Sequence, residues 1–194
     1  MSKKVLDYLP VNIILTGDYK VGKTSIIKKY FNYEGETKEI MMKEIIYDDR
    51  KIHLNFIDTM GCETLATKYY EGYRNPSSCI LVYDPTNNDS VVNLNGWIAE
   101  LKRYCPNKGK IPQYLCCNKC DLERTINEED LKHVLDNWEN ATKKEEFKVS
   151  AKTGEGIEEM ISEIIPKAVE EAIRRLKEKG IKIPKRLKSN CTLQ

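Results

Sequence analysis

Residues Gly17, Asp18, Tyr19, Lys20, Val21, Gly22, Lys23 and Thr24 follow the spacing G-x-x-x-x-G-K-[ST] directly after the apolar run Val11–Thr16. Such a stretch leaves the chain few choices. An apolar strand must enter a glycine turn, and Ser25, Ile26, Ile27 and Tyr30 must continue it as an amphipathic helix. A phosphate cradle needs this arrangement: glycines let backbone N–H groups close on phosphate oxygens, Lys23 reaches the β- and γ-phosphates, and the Thr24 hydroxyl holds Mg²⁺. The helix N-terminus adds free amides and a favourable dipole.

The 194 residues are 40% hydrophobic, enough for one core of ordinary size. Thirty-two basic and 30 acidic residues leave a net charge of +2, so nothing in the balance calls for a nucleic-acid partner. Seven cysteines form an odd count without repeated metal spacing, and Cys116, Cys117 and Cys120 are too adjacent for a tetrahedral cage. These read as reduced thiols. The first residues lack the apolar stretch of a signal peptide and no run reaches the length of a membrane span, so a soluble, cytoplasmic body is expected.

Strand-like runs recur at Val11–Thr16, Ile40–Tyr47, Ile52–Ile57, Cys79–Tyr83, Gln113–Cys117 and Phe147–Val149. Helical patterns lie at Lys23–Tyr33, Asp89–Tyr104, Glu128–Asn140 and Gly156–Lys179, the last with Pro166 as an expected kink or restart. The alternation predicts an α/β fold: a six-stranded, mostly parallel sheet with helices on both faces. Ile40–Tyr47 and Ile52–Ile57 are joined by a polar link, Asp48 to Lys51, too short for a helical crossover, so one edge carries an antiparallel hairpin. Residues 1–180 form the expected domain. Beyond Gly180, Lys182, Pro184, Lys185, Arg186, Lys188 and Ser189 make a basic tail that is not expected to pack.

Two further motifs sit at strand ends on the rim that carries the phosphate loop. Asp58, with Thr59, Met60 and Gly61 behind it, offers a second Mg²⁺ partner, and Gly61 lets a backbone N–H approach a γ-phosphate. Asn118, Lys119, Cys120 and Asp121 follow the fifth strand. The Asp121 carboxylate accepts from guanine, whose N1–H and exocyclic amine are donors, whereas adenine presents an acceptor at N1. Ser150, Ala151 and Lys152 reach the same rim after the sixth strand and can support the base. His53 and His133 lack ligand partners at metal spacing and are read as structural or solvated.

These four elements, in this order, resemble the small GTPases of the Ras superfamily from Val11 to Lys179. Tyr69 to Arg74, then Cys79 to Thr86 and Trp97, look like the Rab branch. The resemblance implies a P-loop small GTPase fold and a Mg²⁺-dependent cycle between GTP and GDP in a monomer. It implies an exchange factor, effectors and a GTPase-activating protein as partners, reading the segments around Thr37 and Gly61–Tyr73. It makes Thr37 the third Mg²⁺ ligand, and Phe31 or Tyr33 the aromatic that covers the base.

Departures from the family concern hydrolysis. Cys62 stands where a glutamine usually orients the attacking water, and Tyr19 and Lys20 replace small residues in the phosphate loop. With Lys23, Gly61 and Cys62 as the catalytic set, slow hydrolysis is expected; the alternative is a GTP-binding module that recruits effectors and hardly hydrolyses. A nucleotide kinase would not need the Asn118–Asp121 motif. The last four residues, Cys191 to Gln194, resemble a C-a-a-X box for farnesylation at Cys191. Upstream, Arg174, Arg175, Lys177, Lys179, Lys182, Lys185, Arg186 and Lys188 supply the second membrane signal that a single lipid needs. The resulting expectation is a peripheral protein on the cytosolic face of a membrane, in vesicle trafficking or signalling.

Overall fold

The computed structural model describes residues 6–36, 39–59, 75–105, 110–143 and 145–187. The strands are β1 (Leu9–Thr16), β2 (Ile40–Tyr47), β3 (Arg50–Asp58), β4 (Ser78–Tyr83), β5 (Gln113–Cys117) and β6 (Phe147–Lys148). Between and after them run α1 (Lys23–Phe31), α2 (Asn88–Val92), α3 (Leu94–Tyr104), α4 (Glu128–Asn137) and α5 (Ile157–Glu178). The strands form one sheet in the order β2-β3-β1-β4-β5-β6, parallel except for the β2–β3 pair. This is the α/β architecture expected from the sequence. It carries the strand ends Thr16, Asp58, Tyr83 and Cys117 to one rim, where ligands of such sheets bind.

Burial follows position in the sheet. Every residue of β4 and β5 is buried, as strands covered on both faces require, whereas β2 at the edge alternates between partly and fully exposed. One apolar cluster lies between the sheet and helices α1 and α5, with Ile13, Phe56, Val82 and Met160 in it. A second lies under α2, α3 and α4 around Tyr83, Leu101, Val134 and Trp138. The hairpin turn is the two-residue pair Asp48 and Asp49, both left-handed at φ 49° and 55°, the geometry whose twist matches its strands.

The element boundaries differ from the sequence reading where side chains found partners elsewhere. The helix expected to Tyr33 stops at Phe31, because Asn32 turns left-handed and its N–H returns to the Lys28 and Lys29 carbonyls. The segment Asp89–Tyr104 is two helices meeting at Asn93, whose side-chain amide donates to Asp18 Oδ2 at 2.7 Å. Glu128–Asn140 ends at Asn137: burial of Trp138, with its indole N–H on Gln113 Oε1 at 2.6 Å, draws the chain out of the helix. Pro166 neither breaks nor restarts α5, which is one element of 22 residues. Its missing N–H would have met the carbonyl of Ser162, an exposed residue whose carbonyl water can satisfy.

The tail corrects a second expectation. Ile181 and Ile183 pack on the first cluster, and Pro184 is buried with its carbonyl accepting from Arg50. Arg186 bonds both oxygens of Asp48, at 2.6 and 2.8 Å, and the Leu187 N–H reaches the Asp49 carbonyl, so residues 184–187 lie along the hairpin turn. Apolar residues at 181 and 183, flanking a charged one, were the overlooked signal.

Candidate functional site

Backbone geometry builds the phosphate loop. Gly17 at φ 137° and Gly22 at φ 97° occupy conformations that L side chains rarely adopt, and a Cβ on Gly17 would stand 2.1 Å from the Val82 carbonyl oxygen. The loop therefore lies directly on β4. Gly22 ends it as the left-handed N-cap of α1, so the helix opens without a side-chain cap and its first amides face the loop. Lys23 is buried, and its ammonium donates to the Gly17 and Asp18 carbonyls at 2.7 and 2.6 Å, which holds the positive charge within the turn. The Thr24 hydroxyl donates to the carboxylate of Asp58 across from β3.

Asn118 joins this loop to the second one. Its Nδ2 donates to the Val21 carbonyl at 2.8 Å, and its Oδ1 accepts from the Ala151 N–H at 3.0 Å. A single buried side chain thus sets the phosphate loop, the Asn118–Asp121 loop and the Ser150–Lys152 loop in fixed relation. Ser150 donates from its hydroxyl to Asp121 Oδ1 at 2.5 Å, and Lys152 stands 3.8 Å from the other oxygen. The resulting cleft has a volume of about 620 Å³. Tyr19, Lys20, Gly22, Lys23, Thr24 and Ser25 line one half. Asn118, Lys119, Asp121, Ala151 and Lys152, with Leu122, line the other.

The remaining expected residues divide. Val21, Asp58 and Ser150 support those that line the cleft without lining it themselves. Asp18 contributes its carbonyl to Lys23, but its carboxylate turns to α3, accepting from Trp97 Nε1 and Asn93 Nδ2 at 2.7 Å each. Tyr19 stays 69% exposed at the rim with the Lys20 ammonium 5.3 Å from its ring centre, and Lys20 is also exposed, in keeping with a solvated side chain. Thr37, Gly61, Cys62 and Cys191 lie outside the described residues. Phe31 does not line the cleft: its ring packs edge-on against Phe56 and Tyr30. Tyr33 also lies elsewhere, beside Ile40 and Met42.

Two groups went unread in the sequence. Asp84, buried at the end of β4, forms an ion pair with Lys119 and accepts from the Thr86 N–H at 2.9 Å, so it aims the lysine that walls the cleft. An acid at a strand end on the binding rim was its signal. Behind the base loop, Arg124 donates to Tyr83 Oη at 2.8 Å and Glu146 Oε1 at 2.9 Å, tying the end of β4 to the approach to β6. Spacing alone could not pair residues so far apart.

Asp121 is held below its ordinary 3.8 first by the Ser150 hydroxyl and then by the Lys152 charge. At Asp84 burial pushes the carboxyl up, but the bonds from Lys119 and Thr86 outweigh it and the net direction is down. Groups depressed on folding stabilise above their unfolded value and lose that stabilisation as pH falls through the folded one. The thermal midpoint is therefore expected to keep these two contributions from pH 8 down to pH 5 and to lose them below about 3.8. In Asp84→Asn the decline in that acid limb should be shallower than in the wild type.

The geometry defines a P-loop nucleotide site on a doubly wound sheet. The Ras family model matches residues 12–170, and the chain belongs to that family of small GTPases, near its Rab branch. It is 32% identical over 167 residues to the Ras-related protein RabN1 of Dictyostelium discoideum, covering 77% of each chain. It is 29% identical to the dog Ras-related protein Rab-27A over 89% of this chain and 86% of that one. A third relative, DnaJ homolog subfamily C member 27 of the rat, is 32% identical over 81% of this chain, which spans 61% of that protein. Family members are GTP-binding switches with GTPase activity.

Proposed function

We propose that the cleft binds GTP and GDP with Mg²⁺ and that this chain hydrolyses GTP slowly. The observation that carries this reading is the pair of hydrogen bonds at the Asn118 side chain, to the Val21 carbonyl and from the Ala151 N–H, which ties a phosphate loop to a loop whose acceptor, Asp121, matches guanine. The phosphates are met by the loop amides and by Lys23, whose charge offsets the negative charge that builds on them during cleavage. Guanine is met by Asp121, with Lys119 and Ala151 beside it and Lys152 and Ser150 steadying the carboxylate. The Thr24 hydroxyl and the Asp58 carboxylate are hard oxygen donors already in contact, a pairing that suits Mg²⁺, with Thr37 as the third protein ligand. Mg²⁺ in that place neutralises phosphate oxygens.

Cys62, a weak donor and acceptor beside the gating Gly61, leaves the attacking water poorly oriented. This favours the second reading as well, a GTP-binding module that recruits effectors and stays largely GTP-bound. Attachment to the cytosolic face of a membrane is proposed through prenylation of Cys191 and the basic tail, with a role in vesicle trafficking or signalling. Arg174 and Arg175 are engaged with Glu171. Arg186 is likewise engaged with Asp48, so the basic signal rests on Lys177, Lys179, Lys182, Lys185 and Lys188. Exchange factor, effectors and a GTPase-activating protein are the proposed partners of a monomeric chain.

The test is to load the protein with GTP and Mg²⁺ and follow bound GTP and GDP by chromatography over hours, with ATP as competitor. Persistent GTP that ATP does not displace is expected, and Cys62→Gln should raise the cleavage rate by at least about tenfold. Displacement by ATP would refute the guanine site. A fast wild-type rate would refute the slow switch.

A further inference from the structure

Asp18 sets a carboxylate inside a loop whose backbone is shaped to hold phosphates. A negative charge there repels such a ligand by the same Coulomb interaction through which Lys23 attracts it. Its neighbours Tyr19 and Lys20 line the cleft, whereas Asp18 does not. Something holds its side chain aside.

The holder is the start of α3. Asn93 and Trp97 stand one turn apart, the Trp97 N–H returning to the Asn93 carbonyl at 3.2 Å, so their side chains share one helix face. Trp97 Nε1 meets Asp18 Oδ1 and Asn93 Nδ2 meets Oδ2, at 2.7 Å each, and both oxygens of the carboxylate carry a donor. The indole is 8% exposed and packs in the second cluster with Leu94, Ile98 and Leu101, which fixes the direction of its N–H. Asn93, at the joint between α2 and α3, is exposed.

Both donors are neutral, and this matters. A lysine or arginine in their place would bind the carboxylate but also compete for the phosphates, whereas an indole and an amide draw the charge aside and add none. The Lys23 ammonium donates to the carbonyl of Asp18 itself at 2.6 Å, so the carboxylate of the same residue starts beside the cation that the phosphates need. The exposed Lys20 lies in the same loop. Released from α3, the carboxylate is attracted to these cations and takes up charge otherwise spent on phosphate.

We infer that Trp97 and Asn93 are positioning residues for nucleotide binding, acting through Asp18: they hold its carboxylate off the phosphate loop so that it does not compete with phosphate for Lys23. The inference rests on the reading of the cleft as a guanine-nucleotide site and assigns to α3 a part in its affinity. It also gives the break between α2 and α3 a purpose, since Asn93 at that joint carries the second donor.

The test measures dissociation constants of GDP and of pyrophosphate, with Mg²⁺, on the full-length protein. The variants are Asp18→Asn, the pair Trp97→Phe with Asn93→Ala, and all of these together. Phenylalanine keeps a ring in the apolar cluster, and asparagine at 18 keeps an acceptor for Trp97 while removing the charge. The pair should weaken both ligands by about tenfold, and Asp18→Asn alone should bind at least as tightly as wild type. Adding Asp18→Asn to the pair should bring affinity back to within about threefold of wild type. A merely structural role for Trp97 gives no such return, because removing a charge at Asp18 does not restore a lost contact. Unchanged affinity in the pair, or a loss that Asp18→Asn does not reverse, would overturn the inference. Asn93→Ala by itself, at an exposed position, should lose about twofold to threefold with the same reversal, and serves where the pair does not fold. Pyrophosphate needs the phosphate loop but no base site. The same pattern with pyrophosphate therefore upholds the inference even where ATP displaces GDP and the guanine reading fails.

Discussion

Gly22→Ala is expected to lower GDP affinity by about 30-fold to about 4,000-fold while leaving the sheet folded. Three terms act in the same direction. At φ 97° an alanine is strained by about 1–2 kcal/mol. Its Cβ would lie 2.2 Å from Asn118 Nδ2, far inside van der Waals contact, so the amide must move. Movement breaks the 2.8 Å bond to the Val21 carbonyl and leaves buried polar groups unpaired, at about 1–3 kcal/mol. The sum, about 2–5 kcal/mol, falls on the relation between the two halves of the cleft and hence on nucleotide affinity. Release of a fluorescent GDP analogue measures it. Gly96→Ala is the control: it lies exposed in α3 with nothing near its would-be Cβ, and should leave affinity unchanged while stabilising the fold by about 0.5–1 kcal/mol. Affinity within a factor of three of wild type in Gly22→Ala would show that the close approach to Asn118 does not govern binding.

Asp121→Asn should weaken GDP by about 10² to 10³ and remove the preference over inosine diphosphate. The carboxylate is an acceptor at both oxygens, steadied by Ser150 and Lys152, so two guanine donors meet negative charge. Bonds to a charged partner contribute about 1.5–3 kcal/mol each. An asparagine presents one amide donor where an acceptor is needed, and a guanine N–H is left facing it. Inosine lacks the exocyclic amine, so the wild-type protein should bind its diphosphate about tenfold more weakly than GDP, and the variant should not distinguish the two. Competition binding of both diphosphates to both proteins completes the cycle. If the variant keeps the full preference for GDP, the base is read by another group.

Much of this site was legible because its chemistry is local. A phosphate loop, a strand-end aspartate and the Asn118–Asp121 run each occupy a few consecutive residues, and each follows an apolar run that places it at a strand's C-terminal end. What failed in the reading failed for non-local reasons. Phe31 looked free to cover a base until Phe56, 25 positions later, took its ring into the core. Asp18 lies inside the motif, yet its carboxylate belongs to Trp97 on α3. The tail read as solvated because its charges outnumber Ile181 and Ile183, which pack on the first cluster, and because the hairpin groups that hold Pro184 and Arg186, Arg50 and Asp48, lie more than a hundred positions earlier in the chain.

The sequence by itself determined the alternation of strands and helices, the edge hairpin, the phosphate and base motifs and their common rim, because hydrophobic periodicity and turn chemistry act over a few residues. Only the tertiary structure decided which buried groups find partners: Asn118 with Val21 and Ala151, Asp84 with Lys119, and Arg175 with Glu171. Those pairings depend on distances between residues remote in the chain, which the packing of helices on the sheet sets and no local pattern encodes.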